Sequence, residues 1–559
     1  MQPEQTTTLG GLLVACFGAD GRSLRGCARL LEGPAAESSA TPISALDYDS
    51  RAVRPGALFC CIPGYRSDGH NHAPAALDAG ASALLVERPL ELGVPEVRVD
   101  SVRAALGPLS DAFFGHPSQA LSLVGVTGTN GKTTTTFLVR ALLEQAGVGC
   151  GLMGTVKRIV GAREEPAART TPEAPDINRA LAQMVAGGSG ACAMEVSSHA
   201  LALYRTDGLA FACAIFTNLT QDHLDFHRSI EEYFAAKRRL FESSPRSSVI
   251  NVGDRFGARL AAEAPAAVTF ALVDDAPPEL GTAAAQADFR ARIISSGPQG
   301  SRFQLDHPGG SDTVTLSLPG RFNVENALGA LAALHALGFE LQPLLPALER
   351  PLVVPGRMEA IDVGQPFTVL IDYAHTPDSL ARVLAAAREL LESAPARTAG
   401  TATKGRLLCV FGAGGDRDRA KRPLMGEAAA RGADLLIVSS DNPRSERPEA
   451  IIAEIMEGVE RARRKSGAPD TEVIVDRGAA IEQAIALAEP GDIVLIAGKG
   501  HERGQELEGG RIIPFDDALV AREAIERAAA SGAWRDPERG AGGADLSLAG
   551  ARPGKVRRS

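Results

Sequence analysis

The sequence predicts an α/β protein with three domains: a small N-terminal α/β domain, a central domain with a mostly parallel sheet, and a C-terminal Rossmann-like, doubly wound domain. Three observations lead to this fold class. The chain has 559 residues, enough for three or four domains at about 150 residues each. Short apolar strands alternate with helical stretches, which is typical of parallel sheets. A second run of this alternation begins near Pro355-Gly356.

Composition excludes several classes of protein. Apolar residues make up 45% and charged residues 23%, so the chain can bury several cores and is not disordered as a whole. The net charge of −10 argues against sequence-independent nucleic-acid binding. The eight cysteines form no C-x-x-C pair, and most lie in apolar runs, as expected of free thiols in a reducing compartment. We see neither a secretory signal nor a membrane span, and expect a cytoplasmic protein.

The elements can be assigned in order along the chain. In the N-terminal unit, 57–64 is a predicted strand, and 72–87 contains a helix followed by a strand. In the central unit, the predicted strands are Leu121–Val126, 191–196, 211–219 and 248–252, and the predicted helices are Thr133–Ala146 and Asn323–Leu337. We also predict a loop over 296–312 before a short β segment. The C-terminal unit has a predicted helix over 447–465, a polar loop at 398–404 and predicted strands at 367–372, 406–411, 434–440, 472–476 and 492–498. These elements predict domains at 1–118, 119–354 and 355–534 and a disordered tail at 535–559.

A glycine-rich turn joins the first central strand to its helix. Glycines let successive backbone N–H groups point at one anion, and the helix N-terminus adds partial positive charge. Lys132 can reach phosphate oxygens and Thr133 can hold Mg²⁺. The standard P-loop spacing would place glycine where this chain has Val126, so the strict pattern fails by one residue. The turn therefore predicts nucleotide binding in a P-loop ATPase-like domain, through residues Gly128, Thr129, Asn130, Gly131, Lys132, Thr133 and Thr134.

This phosphate loop resembles that of the Mur ligase family, ATP-dependent amide-forming enzymes of peptidoglycan synthesis. The resemblance extends from about residue 43 to residue 530. By resemblance, Glu195, at the carboxyl end of a predicted strand, and His223, after the next strand, help to hold Mg²⁺ and, with Lys132, serve catalysis. The resemblance also implies that Lys237 carries a CO₂-derived carbamate near a second Mg²⁺. From the sequence alone Lys237 is an exposed helix lysine.

The resemblance also implies binding positions for the UDP-linked substrate and for ATP. Positions implied for the UDP substrate are Ser50, Thr170, Thr171, Ser197 and Arg205, together with the loop 65–69. Locally, 170–173 is a predicted helix start, and Leu203 stands where relatives have glutamine. Positions implied for ATP, besides the phosphate loop, are Asn323, Asn326, Arg357, Asp372 and His375. Asn323 and Asn326 fit a helix N-cap region nearly as well, and Gly356-Arg357 is a predicted hinge.

Three strand ends of the C-terminal unit carry charged side chains that suit a zwitterionic amino acid. Arginine forms bidentate pairs with carboxylates, and Asp or Glu accepts from ammonium groups. Asp-Asn-Pro-Arg at 441–444 resembles the signature of family members that add meso-diaminopimelate, whose distal carboxylate would pair with Arg444. L-Lysine has no such carboxylate, so a buried Arg444 would stay unpaired. The predicted amino-acid site comprises Arg417, Asp441, Asn442, Pro443, Arg444, Gly498 and Glu502.

The resemblance, together with the Arg444 argument, implies a ligase that adds meso-diaminopimelate to UDP-N-acetylmuramoyl-L-alanyl-D-glutamate through an acyl phosphate. ATP, Mg²⁺ and the Lys237 carbamate are the expected cofactors, and both substrates are small molecules. We expect a monomer without nucleic-acid partners. The alternatives are a ligase for L-lysine or another amino acid, a non-catalytic nucleotide-binding protein, and a P-loop phosphotransferase that forms no amide.

Overall fold

Three large sheets follow one another along the chain and confirm the α/β, three-domain fold class. The computed structural model describes residues 7–17, 30–32, 36–64, 67–297, 299–393, 405–466 and 469–531. The predicted loop at 398–404, the predicted tail at 535–559, and positions 65 and 66 of the predicted substrate loop lie outside these residues.

The N-terminal unit is a five-stranded sheet in the order β2-β7-β6-β5-β4, with a separate β1–β3 pair. Strands β4 to β7 are parallel, and their buried residues face an apolar cluster on each side of the sheet. The strands are β1 (Thr7–Thr8), β2 (Leu30–Glu32), β3 (Pro42–Ile43), β4 (Ala45–Asp47), β5 (Ala57–Cys60), β6 (Ala83–Val86) and β7 (Glu96–Val99). The helices are α1 (Leu9–Phe17), α2 (Ala73–Asp78) and α3 (Val102–Phe113), with short 3-10 turns at Ala36–Ala40, Gly69–His72 and Pro117–Gln119.

The central unit is an eleven-stranded sheet whose middle is parallel and whose two edges are antiparallel. Its order is β11-β10-β9-β12-β8-β13-β14-β15-β16-β17-β18. The strands are β8 (Ser122–Thr127), β9 (Cys150–Met153), β10 (Lys157–Val160), β11 (Arg163–Pro166), β12 (Ala191–Glu195), β13 (Cys213–Phe216), β14 (Ser247–Asn251), β15 (Val268–Leu272), β16 (Phe289–Gly297), β17 (Gly300–His307) and β18 (Gly310–Leu316). The helices are α4 (Lys132–Gln145), α5 (Ala174–Ala186), α6 (Ser198–Ala202), α7 (Ile230–Glu242), α8 (Arg255–Glu263), α9 (Gly281–Ala285), α10 (Arg321–Ala336) and α11 (Pro346–Glu349), with 3-10 turns at Val273–Asp275 and Pro278–Leu280.

The predicted loop over 296–312 is wrong, because most of that segment belongs to strands β16 to β18. Its Gly, Ser and Asp content resembles a loop, but buried Phe303 and Leu305 alternate with more exposed polar residues. Period-two alternation is the mark of a strand with one face on the core and one in water. The segment therefore extends the parallel sheet as an antiparallel meander.

The C-terminal unit is a six-stranded sheet in the order β19-β20-β24-β21-β22-β23, parallel except for β19. Apolar clusters cover both faces, as in a doubly wound fold. The strands are β19 (Glu359–Ile361), β20 (Thr368–Asp372), β21 (Leu407–Phe411), β22 (Leu435–Val438), β23 (Asp470–Val473) and β24 (Ile493–Ala497), and a hairpin follows with β25 (Gly504–Glu506) and β26 (Ile512–Pro514) around a 3-10 turn at Glu508–Gly510. The helices are α12 (Pro377–Ser393), α13 (Lys421–Gly432), α14 (Pro448–Ser466), α15 (Arg477–Leu487) and α16 (Asp517–Ala530).

Each large sheet lies within one of the predicted ranges, so we propose the boundaries 118/119 and 354/355 for the domains. Among the described helices, none combines the length and the apolar character that a membrane span requires.

Candidate active site

The phosphate loop lies between strand β8 and helix α4. Gly128 and Gly131 have positive φ angles of 151° and 86°, and a Cβ atom on Gly131 would overlap the side chain of Asn326. Glycine is therefore required by both backbone shape and close approach. Lys132 Nζ donates to the carbonyl oxygens of Gly128 (2.9 Å) and Thr129 (2.7 Å). Burial lowers the pKa of Lys132, as expected of a cation that lacks an anionic partner in contact.

The carboxylate of Glu195, at the end of strand β12, is held beside this loop. Both of its oxygens lie 3.0 Å from the Thr133 hydroxyl, and Thr155 donates to it from its backbone N (2.7 Å) and its hydroxyl (3.0 Å). Arg357 of the C-terminal unit donates to Thr133 Oγ1 at 3.3 Å. Its Nε is buried and finds no hydrogen-bond partner in the described part of the chain. A free buried donor beside a phosphate loop fits an anionic ligand, and the oxygens of Thr133 and Glu195 fit Mg²⁺.

Lys237 contacts the phosphate loop, and the His223 ring lies 6.0 Å from the ring of Tyr233, which contacts the loop at Thr129. Lys237 is only 1% exposed, so the exposed lysine expected from the sequence alone is wrong. Its Nζ donates to Gly128 O at 2.7 Å and lies 4.5 Å from the Tyr233 ring centroid, and burial holds its pKa well below the ordinary value. Burial also lowers the pKa of His223 to about 3, and its ring centroid lies 4.8 Å from that of His199.

The predicted metal ligands meet only in part. Thr133 and Glu195 are in contact, whereas within the described residues no hydrogen bond or ion pair joins either of them to His223 or Lys237. Within the described residues, no three His, Cys, Asp or Glu side chains form a group that could hold a metal ion. A carbamate on Lys237 would add an acidic group beside the phosphate loop, so the four-residue set stays a prediction.

Several of the predicted ATP residues, but not all, border one pocket between the central and C-terminal units. Asn326 Nδ2 donates to Asn323 Oδ1 at 3.0 Å, and both residues lie inside α10, whose N-cap is Gly320, so they do not cap the helix. The predicted residues that line it are Asn130, Gly131, Thr133, Thr134, Asn326, Arg357 and Asp372, whereas Gly128, Thr129, Lys132 and Asn323 do not. The carboxylate of Asp372 accepts from the backbone of Met358 and Ala374, and burial raises its pKa. His375 Nδ1 lies 2.8 Å from Tyr373 O and is not among the lining residues.

The predicted UDP-substrate residues of the central unit form a connected group. Thr171 Oγ1 donates to Glu195 O (2.9 Å) and accepts from Ser197 N (3.1 Å), while Arg205 NH1 donates to Thr171 O (3.0 Å). Arg205 also pairs with the carboxylate of Glu173 at 3.0 Å.

Two further predicted substrate residues lie at the margins of this group. Thr170 Oγ1 accepts from Thr155 Oγ1 at 3.1 Å, and Ser50 lies in the turn after β4. The predicted helix start at 170–173 is wrong, because α5 begins at Ala174 with Glu173 as its N-cap. Pro175, and not the preceding proline, takes the first-turn position that suits its fixed φ.

The predicted amino-acid site is organised by a lysine that sequence reasoning did not select. Lys499 is fully buried, and its Nζ donates to Asn442 Oδ1 (2.9 Å) and Glu502 Oε2 (3.0 Å) and lies 3.5 Å from Asp441 Oδ1. Asn442 Nδ2 donates to the same Glu502 oxygen at 2.8 Å. The buried ammonium group neutralises the two carboxylates and donates to the amide oxygen. It thereby connects the segments that follow strands β22 and β24. Lys499 directly follows Gly498 and lies three positions before Glu502, both of which are predicted site residues, and this proximity is the signal in the sequence.

Arg444 lies at the edge of this group and has its own unpredicted partner. Its Nε donates to Glu506 Oε2 at 2.7 Å, and its NH1 donates to Gly415 O at 2.7 Å. Arg417, in contrast, donates to the carbonyl of its neighbour Asp416. Among the other predicted residues, Pro443 O accepts from Glu446 N, and Gly498 has a φ of 118° beside the Asp441 carboxylate.

A cleft of about 750 Å³ connects the amino-acid site with the central unit. Asn442, Arg444 and Glu502 line it on one side. Thr155 and the β10–β11 hairpin line it on the other side, and Thr155 is the residue that donates to Glu195. Arg417 is not a lining residue. Thr155 thus connects one wall of the cleft to Glu195, and Arg444 lies on the wall that the C-terminal unit forms.

Three family models match the chain: "Mur ligase family, catalytic domain" over residues 42–114, "Mur ligase middle domain" over residues 126–334, and "Mur ligase, glutamate ligase domain" over residues 356–500. The three matched ranges follow one another along the chain in the same order as the three large sheets, one sheet to each range.

Individual relatives are similar over most of the chain. A Geobacillus thermodenitrificans protein named UDP-N-acetylmuramoyl-L-alanyl-D-glutamate–2,6-diaminopimelate ligase is 44% identical over 87% of this chain and 95% of its own. A Streptomyces coelicolor protein of the same name is 43% identical over 89% of this chain and 95% of its own. A solved structure with that name superposes with a TM-score of 0.60 at 34% identity, covering 89% of this chain and 97% of that one.

Proposed function

The chain belongs to the Mur ligase family, and we propose from this premise that it is a ligase of the MurE type. Such an enzyme uses ATP to add 2,6-diaminopimelate to UDP-N-acetylmuramoyl-L-alanyl-D-glutamate in peptidoglycan synthesis. We propose the meso form as its amino acid. The observation that carries the proposal is the cleft in which Arg444 and Glu502 face Thr155, the neighbour of Glu195.

The first half of the reaction takes place at the phosphate loop. An oxygen of the D-glutamyl side-chain carboxylate attacks the γ-phosphorus of ATP, the bond to the β,γ-bridging oxygen breaks, and ADP leaves. Lys132 and the free Nε of Arg357 stabilise the negative charge on the transferring phosphoryl group. Mg²⁺ held by Thr133 and Glu195 would supply further positive charge on the phosphate oxygens.

The second half requires the amino acid from the C-terminal unit. The diaminopimelate amine attacks the acyl carbon, the bond from that carbon to the phosphate oxygen breaks, and phosphate leaves as the amine loses its proton to solvent. Asn442, Glu502 and Arg444 hold the amino acid on the opposite wall of the cleft. Arg444 would pair with the distal carboxylate, which L-lysine lacks.

We propose that Lys237 becomes a carbamate, because its amine is suited to that reaction. CO₂ reacts with a neutral amine, and burial favours the neutral form of Lys237. The resulting anion would lie beside the phosphate loop and would supply oxygen ligands of the kind that Mg²⁺ prefers. We also propose a cytoplasmic location, because the cysteines of the described residues are buried free thiols, which suit a reducing compartment. The monomer stays a prediction.

The test is ATP-dependent ligation with meso-diaminopimelate beside L-lysine, with product mass and ADP measured together. Arg444→Ala should lower kcat/KM for diaminopimelate about 10- to 100-fold, since it removes a charge-assisted bidentate contact. Arg447→Ala is the matched control, because Arg447 lies three positions away and its side chain is 85% exposed.

Each outcome has a separate meaning. Tripeptide formed with diaminopimelate alone, and lost selectively in Arg444→Ala, supports both reaction and substrate. Efficient use of L-lysine would keep the ligase and overturn the choice of amino acid. ATP turnover without an amide product would overturn the ligase itself.

A further inference from the structure

We propose that Glu506 is a positioning residue that turns the guanidinium of Arg444 toward the distal carboxylate of the amino-acid substrate. This inference rests on the proposed function, since it concerns the same cleft. Glu506 follows the 498–502 segment in the β25–β26 hairpin, and both it and Arg444 line the cleft.

The ion pair decides which edge of the guanidinium is available. Nε is taken by Glu506 Oε2 at 2.7 Å, and one NH1 hydrogen is taken by Gly415 O at 2.7 Å. One NH2 hydrogen points the same way as Nε–H, and the other NH2 hydrogen forms the second edge of the guanidinium with an NH1 hydrogen. Within the described residues, NH2 makes no hydrogen bond. A carboxylate can bind two parallel N–H donors on either edge of a guanidinium. Glu506 closes the Nε edge and leaves the NH1/NH2 edge for substrate.

The backbone holds this pair in register. Arg444 has a φ of 52°, a conformation that L residues rarely adopt, and its N donates to Glu506 O at 3.1 Å. In return, Glu506 N donates to Asn442 Oδ1 at 2.9 Å. Hairpin and loop are thus bound to each other at Asn442 and at Arg444. The Glu506 carboxylate is therefore held close to Arg444 Nε. Because the Arg444 side chain is ordered before substrate binds, it loses less conformational entropy on binding.

A carboxylate next to the substrate-binding arginine also allows the opposite role. Glu506 could compete with the substrate carboxylate for Arg444, and its removal would then improve binding. The geometry favours positioning, because the NH1/NH2 edge stays available while Glu506 occupies Nε. The two roles predict opposite changes in KM.

The experiment measures KM and kcat for meso-diaminopimelate in the full chain and in three variants. Glu506→Ala should raise KM about tenfold, the effect of losing one hydrogen bond between charged groups, with kcat changed less than about twofold. Glu506→Gln keeps an acceptor for Nε at the same reach and should stay within about threefold of the unaltered KM. Glu506→Asp keeps the charge but is one methylene shorter, and should resemble alanine.

A control and a double variant separate positioning from a general structural effect. Glu508→Ala removes an exposed carboxylate from the same hairpin and should leave KM unchanged. KM for ATP should be unaltered in every Glu506 variant. In an Arg444→Ala background, Glu506→Ala should add nothing, since a positioning residue has no effect without the group it positions.

Several results would overturn the inference. A lower KM in Glu506→Ala would identify a competitor, and an unchanged KM would remove any role. An unaltered KM in Glu506→Asp together with a raised KM in Glu506→Gln would show that the negative charge of Glu506 matters and that the length of its side chain does not. If the unaltered protein is active while these results appear, only the inference fails. If it forms no amide with diaminopimelate, the proposed function fails and the inference falls with it.

Discussion

Asp517→Ala is expected to leave a buried guanidinium without its counter-charge. Arg477 begins α15 and Asp517 begins α16, and both side chains are fully buried. Arg477 donates from Nε and NH2 to the two carboxylate oxygens, each at 2.7 Å. Burial alone would lower the pKa of Arg477, but Asp517 raises it above its ordinary value, so the group stays charged.

The same guanidinium supports the amino-acid site. It donates to Ala497 O at 2.9 Å and to Ser440 O at 3.4 Å, the residues that directly precede Gly498 and Asp441. Removing one partner of a buried ion pair costs about 3–5 kcal/mol. For a domain of this size, each kcal/mol lowers Tm by about 2–4 °C, so the domain should melt roughly 6–20 °C lower.

Native-state hydrogen exchange in the full chain measures this loss locally. Exchange of amides in β22 and β24 should show an opening free energy lower by about 3–5 kcal/mol. Glu482→Ala is the matched control, because Glu482 and Arg527 pair across the same two helices but are 54% and 57% exposed. Exposed pairs contribute less than about 1 kcal/mol. Equal losses in Asp517→Ala and Glu482→Ala would refute the reasoning, since burial would then make no difference.

Three other variants test the phosphate side of the site and its pH dependence. Lys132→Ala should lower kcat about 10²- to 10³-fold in an ADP-release assay, because it removes a cation from the transferring phosphoryl group. Lys237→Ala should lose activity that added short carboxylic acids restore, and full activity without them would contradict the carbamate. Burial, reinforced by the positive charge of Arg357, lowers the pKa of His501 from 6.5 to about 4. Between pH 6.5 and about 4, His501 is therefore protonated in the unfolded chain but neutral in the folded chain. The free energy of unfolding should fall as the pH drops through this range. Urea titrations at several pH values should show that the free energy of unfolding of His501→Gln falls less steeply with decreasing pH than that of the unaltered protein.

Much of the fold and of the phosphate side could be predicted, because local patterns determine them. The strand before and the helix after 128–131 require a turn whose N–H groups converge, and the structure has that turn. Glu195 could be placed at the same edge of the sheet, because parallel strands end together. Its contact with Thr133 follows from that topology.

The amino-acid side was predicted less completely, because its contacts join segments that no local pattern relates. Asp441, Asn442 and Glu502 were expected to converge, and they do. The cation that neutralises them, Lys499, has no periodicity or spacing that distinguishes it from a surface lysine. The partner of Arg444 lies 62 positions later in a hairpin, and its effect depends on a guanidinium orientation that a sequence does not specify.

Contacts between units add a constraint that neither unit's sequence contains alone. Asn130 Nδ2 of the phosphate loop donates to Asp378 Oδ2 of α12 at 3.1 Å, and the Thr220 hydroxyl donates to the same oxygen at 3.3 Å. Arg357 reaches Thr133 from the same side. The C-terminal unit therefore completes the phosphate site in this arrangement, at the same time as it forms one wall of the amino-acid cleft. A movement of that unit must change ATP binding and amino-acid binding together. This coupling suits a reaction in which the amine must attack the acyl phosphate before water hydrolyses it.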